Sequence, residues 1–396
     1  MRPSDELLAY LSKVRGRALA VGCVGAALCA AGYFLQPERF FQSYLFAYVF
    51  WLGLTLGSMV VVMIHGLTGG GWGLAIRRIS EAAMNTLPLM ALLFLPVLFG
   101  VPSLYEWSHQ EVVEHDAVLQ SKSAYLNVDG FQIRAGVVFA VWLVTLLALN
   151  RWSPNEDPNP DSPRSIRLQR ASGVGFALYG LTVTFAAVDW VMSLEPHWYS
   201  SMYGILFAAG EALAGLSFAI VAMTALEPFD PWRRIVNTER RHDLGNLLLA
   251  FTMFWAYIAF MQYLIIWSGN LPEENVWYLH RGVGGWELIG LALMGLSFAL
   301  PFFLLLLRDV TRRRSRLCQV AGLLLAMQAV SAYWLVEPAF SPGTLTIHWL
   351  HVAALAAVGG FWAAMFAWRL QARAFLPIHD PELLEAVDER AGHAAA

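Results

Sequence analysis

The sequence predicts an all-α integral membrane protein with ten transmembrane helices. Three observations carry that reading. Of 396 residues, 58% are hydrophobic and only 14% are charged. The apolar residues gather into ten stretches, each near the ~20 residues a helix needs to cross a ~30 Å hydrocarbon core. The loops between them alternate between rich and poor in Lys and Arg. Inside lipid, backbone polar groups are satisfied only in helices or closed barrels, and apolar runs of this length form helices.

The spans fall at about 17–35, 42–67, 82–101, 131–151, 169–193, 200–226, 244–268, 284–307, 317–337 and 346–369. The first follows Lys13, Arg15 and Arg17. Its apolar run exceeds a signal-peptide core and no small-x-small cleavage site follows, so it reads as an uncleaved helix. Arg77 and Arg78 precede the third span, Arg151 closes the fourth, and Arg164, Arg167 and Arg170 precede the fifth. Arg233, Arg234, Arg240 and Arg241 precede the seventh, and Arg308 to Arg316 link the eighth to the ninth. Sorted by side, 22 of the 26 basic residues fall together; Arg39, Lys122, Arg134 and Arg281 fall opposite. The positive-inside rule then places both termini in the cytoplasm. The chain divides into a cytoplasmic N-terminus (1–16), a membrane domain (17–370) and a cytoplasmic tail (371–396), in which Pro381-Glu-Leu-Leu-Glu suits a helical turn.

Several chemistries are excluded. The net charge of −3 and the placement of Arg at membrane edges argue against nucleic acid. Cys23, Cys29 and Cys318 form no CxxC or iron–sulfur spacing. There is no phosphate-binding loop, dinucleotide fingerprint or His-Glu-x-x-His. His65 lies at one end of the helical layer and His348 and His351 at the other, so they cannot clamp one haem. The expectation is that this chain binds no metal or redox centre.

A charge within a span costs ~2.5–3.5 kcal/mol on insertion scales, so buried titratable groups need a reason. Glu211 stands among Gly210, Ala212, Ala214 and Gly215, small residues that let helices approach closely. Desolvation penalises its charged form, so it can hold a proton. Asp189 and Glu195 flank the turn that ends the fifth span, with Arg134 or Arg281 as a candidate ion-pair partner of Asp189. Glu287 opens the eighth span, where a carboxylate suits the helix dipole. Near the cytoplasmic ends stand His65, Glu81, Asn85 and Asp243, the last suited to capping the seventh helix. His65 is the stronger candidate because imidazole titrates near neutral pH. Gln262, Gln328, Tyr257 and Tyr263 suit helix–helix hydrogen bonding or a bridge to Glu211. His65, Glu81, Glu211, Asp189, Glu195 and Glu287 thus mark a candidate proton path. Asp189, Glu195, His197 and Trp198 mark an alternative outer-leaflet quinone site.

A weak internal echo, which chance matching among Gly-rich apolar segments would also give, points to an arrangement. Arg134-Ala-Gly-Val precedes one span and Arg281-Gly-Val another, while Ser43…Gly53 and Ser200…Gly210 match in spacing. Spans two to five and six to nine then form two four-helix bundles, with the first and tenth helices peripheral. Repeats with a midplane Glu also suit a secondary transporter, but such a fold needs interrupted helices in matching places.

Three runs carry a family resemblance. They are Asp189-Trp-Val-Met-Ser-Leu-Glu-Pro-His-Trp-Tyr-Ser-Ser-Met-Tyr-Gly204, Asp243-Leu-Gly-Asn-Leu-Leu-Leu-Ala-Phe251 and Gln262-Tyr-Leu-Ile-Ile-Trp-Ser-Gly-Asn-Leu-Pro-Glu-Glu274. Together they resemble the ActF subunit of bacterial alternative complex III, within the NrfD/polysulfide-reductase family of membrane subunits. The resemblance spans roughly the second to tenth helices. It implies two four-helix bundles plus two helices, in a quinol:electron-acceptor oxidoreductase. It implies as partners a sister NrfD-like membrane subunit, a periplasmic iron–sulfur subunit and cytochrome c subunits, beside the lipid bilayer and the quinone pool. Haem c and iron–sulfur clusters would then lie in those partners. This chain would contribute structural support and a proton route. No quinone-ligand motif of the family maps onto its residues.

Overall fold

A computed structural model describes residues 4–153 and 163–372. These residues are 85% helical and contain no strand. Ten helices are long and apolar enough to cross a membrane: Asp5–Leu35, Pro37–Thr68, Trp72–Phe99, Val128–Trp152, Ile166–Leu194, Tyr203–Leu226, Thr238–Gly269, Trp286–Leu305, Arg314–Ala339 and Trp349–Gln371. Their even number puts the ends of the described chain at one face, which also carries most of the Arg residues and is called the basic face below.

The second span is the axis of the molecule. It touches the first, third, fifth, sixth, ninth and tenth, and 94% of its most apolar stretch is buried. Spans two to five close into one four-helix ring and spans six to nine into another. The rings meet where the second span crosses the sixth, flanked by fifth–sixth and ninth–second contacts. Glycines make the central crossing possible. A β-carbon on Gly57 would run into the Glu211 carbonyl, and one on Gly215 into the Gly57 backbone. In lipid, where apolar burial drives little association, such backbone approach is a main source of helix adhesion.

The first and tenth spans pair along their length outside both rings. The tenth is not merely peripheral: it also packs on the second and third spans, and two thirds of its apolar stretch is buried.

Several boundaries move. The first helix begins at Asp5, so residues 5–16 are helical; Ser4 caps it by accepting from the Leu7 N–H. The seventh begins at Thr238 with Asn237 as its cap, accepting from the Arg240 N–H at 2.8 Å. Asp243, expected to cap that helix, is an exposed residue within it. The third span starts at Trp72 and is segmented, as Trp72–Met84, Leu87–Leu92, Leu95–Phe99 and the following turn Val101–Leu104. Pro88, Pro96 and Pro102 each occupy the second position of a segment, because a proline lacks the N–H that would continue the preceding helix. Tyr44 and Tyr48 of the second span donate to the Leu93 and Met90 carbonyls beside these breaks, at 2.7 and 2.9 Å. The eighth span widens to π geometry over Leu293–Ala299, ahead of Pro301. The interrupted spans are thus the third and the eighth, which do not correspond between the two rings. The tail run Pro381–Glu385 lies outside the described residues.

Candidate functional site

The sixth span starts at Tyr203, so Glu211 stands eight residues, ~12 Å, below its start. The crossing at Gly57 holds the Glu211 backbone against the second span and turns its side chain inward. That side chain is buried and lies 3.2 Å from where a β-carbon on Gly53 would stand. Tyr179 of the fifth span donates its hydroxyl to Glu211 Oε2 at 2.5 Å. Among the described residues no cation pairs with Glu211. Beside it is a cavity of about 50 Å³, whose wall includes Gly53, Gly210, Trp255, Gln328 and Ser331. A cavity needs at least ~10–15 Å³ to admit a water, so one to a few waters fit. Gln328 Nε2 is buried and has no hydrogen-bond partner among the described residues, and a buried amide of this kind favours a water.

On the face opposite the basic one, the expected carboxylates are occupied. Arg134 Nε donates to Asp189 Oδ2 at 2.7 Å, and the Tyr125 ring lies 4.0 Å from that guanidinium. Glu195 takes Arg281 Nη2 at 2.7 Å and His280 Nδ1 at 3.0 Å. Arg281 also donates to the carbonyls of Trp277, Trp334 and Leu335 at 3.0, 3.2 and 3.1 Å. Its guanidinium stacks 3.7 Å from the Trp277 ring. Glu287 is exposed and accepts from the Gly285 N–H at 2.8 Å. It therefore arranges a helix start and does not join the buried groups.

On the basic face, Glu81 receives Arg77 Nε at 3.0 Å, Arg78 Nη1 at 2.5 Å and the Ser153 hydroxyl at 2.7 Å. Asn85 donates to the Glu81 carbonyl and pairs with Asn150. This ties the third span to the end of the fourth. His65 donates to the Gly70 carbonyl at 3.2 Å and rests edge-on against Trp72. His65 and Glu81 lie at one level, but no hydrogen bond joins them.

The helix faces sort the remaining candidates. Gln262 is buried; it accepts from Ser200 and donates to Tyr278. Tyr257 and Tyr263 point outward, 56% and 44% exposed, and form no bridge to Glu211.

The quinone candidates separate in space. Trp198 is buried, stacks on Trp277 and donates to the Glu274 carbonyl at 3.1 Å. It lines a cavity of about 360 Å³ together with Lys122, Tyr125, Met192, Ser193 and Tyr199. Asp189 and Glu195 are not among its lining residues and are held in their ion pairs. His197 turns away to Asp116, 2.6 Å from Oδ2.

Asp116 is also the cap of the short helix Ala117–Lys122. The Leu119 N–H and the His197 ring hold its carboxyl below the usual 3.8, with the Val118 N–H adding to the effect. A carboxyl lowered by folding stabilises the fold above its unfolded value and loses that contribution as pH falls through the lowered one. Asp116→Asn is therefore expected to speed amide exchange of residues 117–122 at neutral pH. The difference from the parent should shrink below the ordinary Asp range; a gap that persists at acid pH would contradict this account.

Two buried groups at this site were not anticipated. Tyr179, the hydroxyl on Glu211, lacks a distinctive sequence context in an apolar helix. Glu337, fully buried at the end of the ninth span, precedes Pro338 and resembles an ordinary helix end. The chain matches no protein-family model and no curated protein.

Proposed function

We propose that this chain is a membrane subunit of a quinol:electron-acceptor oxidoreductase of the alternative complex III type, and that it carries protons while partner subunits carry electrons. The observation that carries the proton role is Glu211: a carboxyl buried between two helical rings, bonded by Tyr179, bordering a small cavity that also holds Gln328 and Ser331, and facing no cation among the described residues. Charge isolated in such surroundings is costly, so the group exchanges a proton more readily than it holds an ion. The three sequence runs that resemble the NrfD/polysulfide-reductase family support the respiratory assignment. In this reading the basic face is cytoplasmic, in a bacterial inner membrane, and both termini lie there. The sister membrane subunit, the iron–sulfur subunit and the cytochromes c supply the redox centres.

The test uses the complex purified from native membranes and reconstituted in vesicles. Oxidation of decylubiquinol or menadiol is followed together with proton release. Glu211→Gln is expected to slow coupled proton release by about a hundredfold or more, within the ~10²–10⁴ range of positioned acid–base groups. Wild-type rate and stoichiometry in the variant would refute the proton role.

The cavity at Trp198 favours a second reading, in which this chain binds a quinone headgroup. Its ~360 Å³ volume is within the range of small-molecule sites, and Tyr125, Trp198 and Tyr199 offer aromatic faces. Photolabelling with an azido-quinone is expected to mark Tyr125, Met192 or Tyr199. Labelling confined to partner subunits would exclude it.

A further inference from the structure

The cavity beside Glu211 is one-sided. The second and sixth spans start at the face opposite the basic one, at Pro37 and Tyr203, and the ninth ends there at Ala339. From the level of Glu211 the lining climbs toward that face on all three: from Gly53 to Val49, from Glu211 to Leu206 and from Gln328 to Leu335. At ~1.5 Å per helical residue these climbs are ~6, ~8 and ~10 Å. Leu206 is three residues, ~5 Å, from the start of its helix. Toward the basic face the lining goes no further than Ala214, three residues past Glu211. Just there the glycine crossing closes the space between the second and sixth spans. A β-carbon on Gly215 would overlap the Gly57 backbone, and one on Gly57 would overlap the Glu211 carbonyl. Backbones packed that closely leave no room for a water between them.

Gln328 stands at the inner end of this space. Its Oε1 lies 3.0 Å from where a β-carbon on Gly210 would stand, which puts the amide at the level of Glu211. A role in joining helices would give the amide a protein partner. Its Nε2 is buried and has none among the described residues. Leaving such a donor dry is costly, and a cavity with polar lining takes up water where an apolar one stays empty. Ser331, three residues further out, brings a hydroxyl to the same wall. Glu211 is the only titratable residue of the lining, and Tyr179 is the titratable group bonded to it. We propose that Glu211 exchanges its proton only with the face opposite the basic one, through water that Gln328 and Ser331 hold in this cavity. The proposal rests on the proton-carrying reading of Glu211. The carboxyl gives its proton to that water, leaving a carboxylate and hydronium, and the reverse step restores it. The Tyr179 hydroxyl bonds the carboxylate in the interval. Gln328 takes no proton; it is a positioning residue whose N–H fixes the water oxygen beside Glu211.

The test uses the complex purified from native membranes and reconstituted in one orientation. Infrared difference spectroscopy reads the Glu211 carboxyl as the band missing from Glu211→Gln. With pH set separately on the two sides of the vesicle, the band is expected to follow the side opposite the basic face and to ignore the other. After transfer to deuterated buffer the band should shift as the proton exchanges. Gln328→Met, which keeps the volume and removes the donor, should slow that shift about three- to tenfold, the rate equivalent of one lost hydrogen bond. Ser331→Ala should slow it less. Gln262→Met, at a buried amide outside the cavity, should leave it as in the parent. A band that follows the basic side, or both sides, overturns the one-sided exchange. An unslowed shift in Gln328→Met overturns the water site. In either case Glu211 remains a proton carrier. If Glu211→Gln loses no carboxyl band, the proton-carrying reading itself fails and the proposal falls with it. Should Gln328→Met not assemble, the two-sided pH experiment on the parent decides.

Discussion

Gly57→Ala is expected to leave little correctly folded protein. At the crossing of the second and sixth spans, the added methyl would collide with the Glu211 carbonyl, which is backbone and cannot rotate away. Relief requires the two helices, and with them the two rings, to move apart. Overpacking a tight site costs on the order of 3 kcal/mol, and this one lies at the axis of the molecule. The shift would also displace the Glu211 side chain from Tyr179. The measurement is the yield of monodisperse protein in detergent and its thermal midpoint. Gly136→Ala is the control, because nothing lies within 4 Å of a β-carbon there. Equal behaviour of the two variants would show that the close crossing does not hold the fold together.

Arg281→Ala should be the most damaging change at the opposite face. The guanidinium is buried and serves Glu195 and three backbone carbonyls at once. Its removal leaves Glu195 with only His280 and strands carbonyls at Trp277, Trp334 and Leu335. Breaking a buried ion pair by deleting one partner typically costs ~3–5 kcal/mol. Arg281→Lys should recover only a minor part, since a single ammonium cannot reproduce the planar fork or its stacking on Trp277. Thermal unfolding of the detergent-solubilised chain checks both. A lysine variant as stable as the parent would mean that charge alone matters there.

How far the sequence reached depends on the physics at each position. The ten long apolar helices were legible because hydropathy is a local signal. The start of the third span was not, because Arg77, Arg78 and Glu81 interrupt its hydropathy while neutralising one another within a helical turn. Glu211 could be picked out by its glycine and alanine neighbours, which announce a close helix contact. Tyr179 could not, since which residue of the fifth span meets Glu211 depends on helix rotation. Rotation also misplaced Tyr257 and Tyr263: the seventh span is apolar around most of its circumference and offers no stripe to orient it. Glu337 escaped because its partners Arg39 and His351 come from other spans, Arg39 from nearly 300 residues away in the chain. The Asp189 pairing was half legible and the Glu195 pairing was not. Arg134 and Arg281 were both candidates for Asp189, and only the fold could allot Arg134 to it and Arg281 to Glu195.

The central claim is that Glu211 changes its protonation during turnover. Redox-triggered infrared difference spectroscopy of the reconstituted complex reads this directly. The account predicts a protonated-carboxyl band that appears or shifts on quinol oxidation in the parent and is missing in Glu211→Gln. Carboxyl bands in Glu211→Gln that match the parent throughout would contradict it.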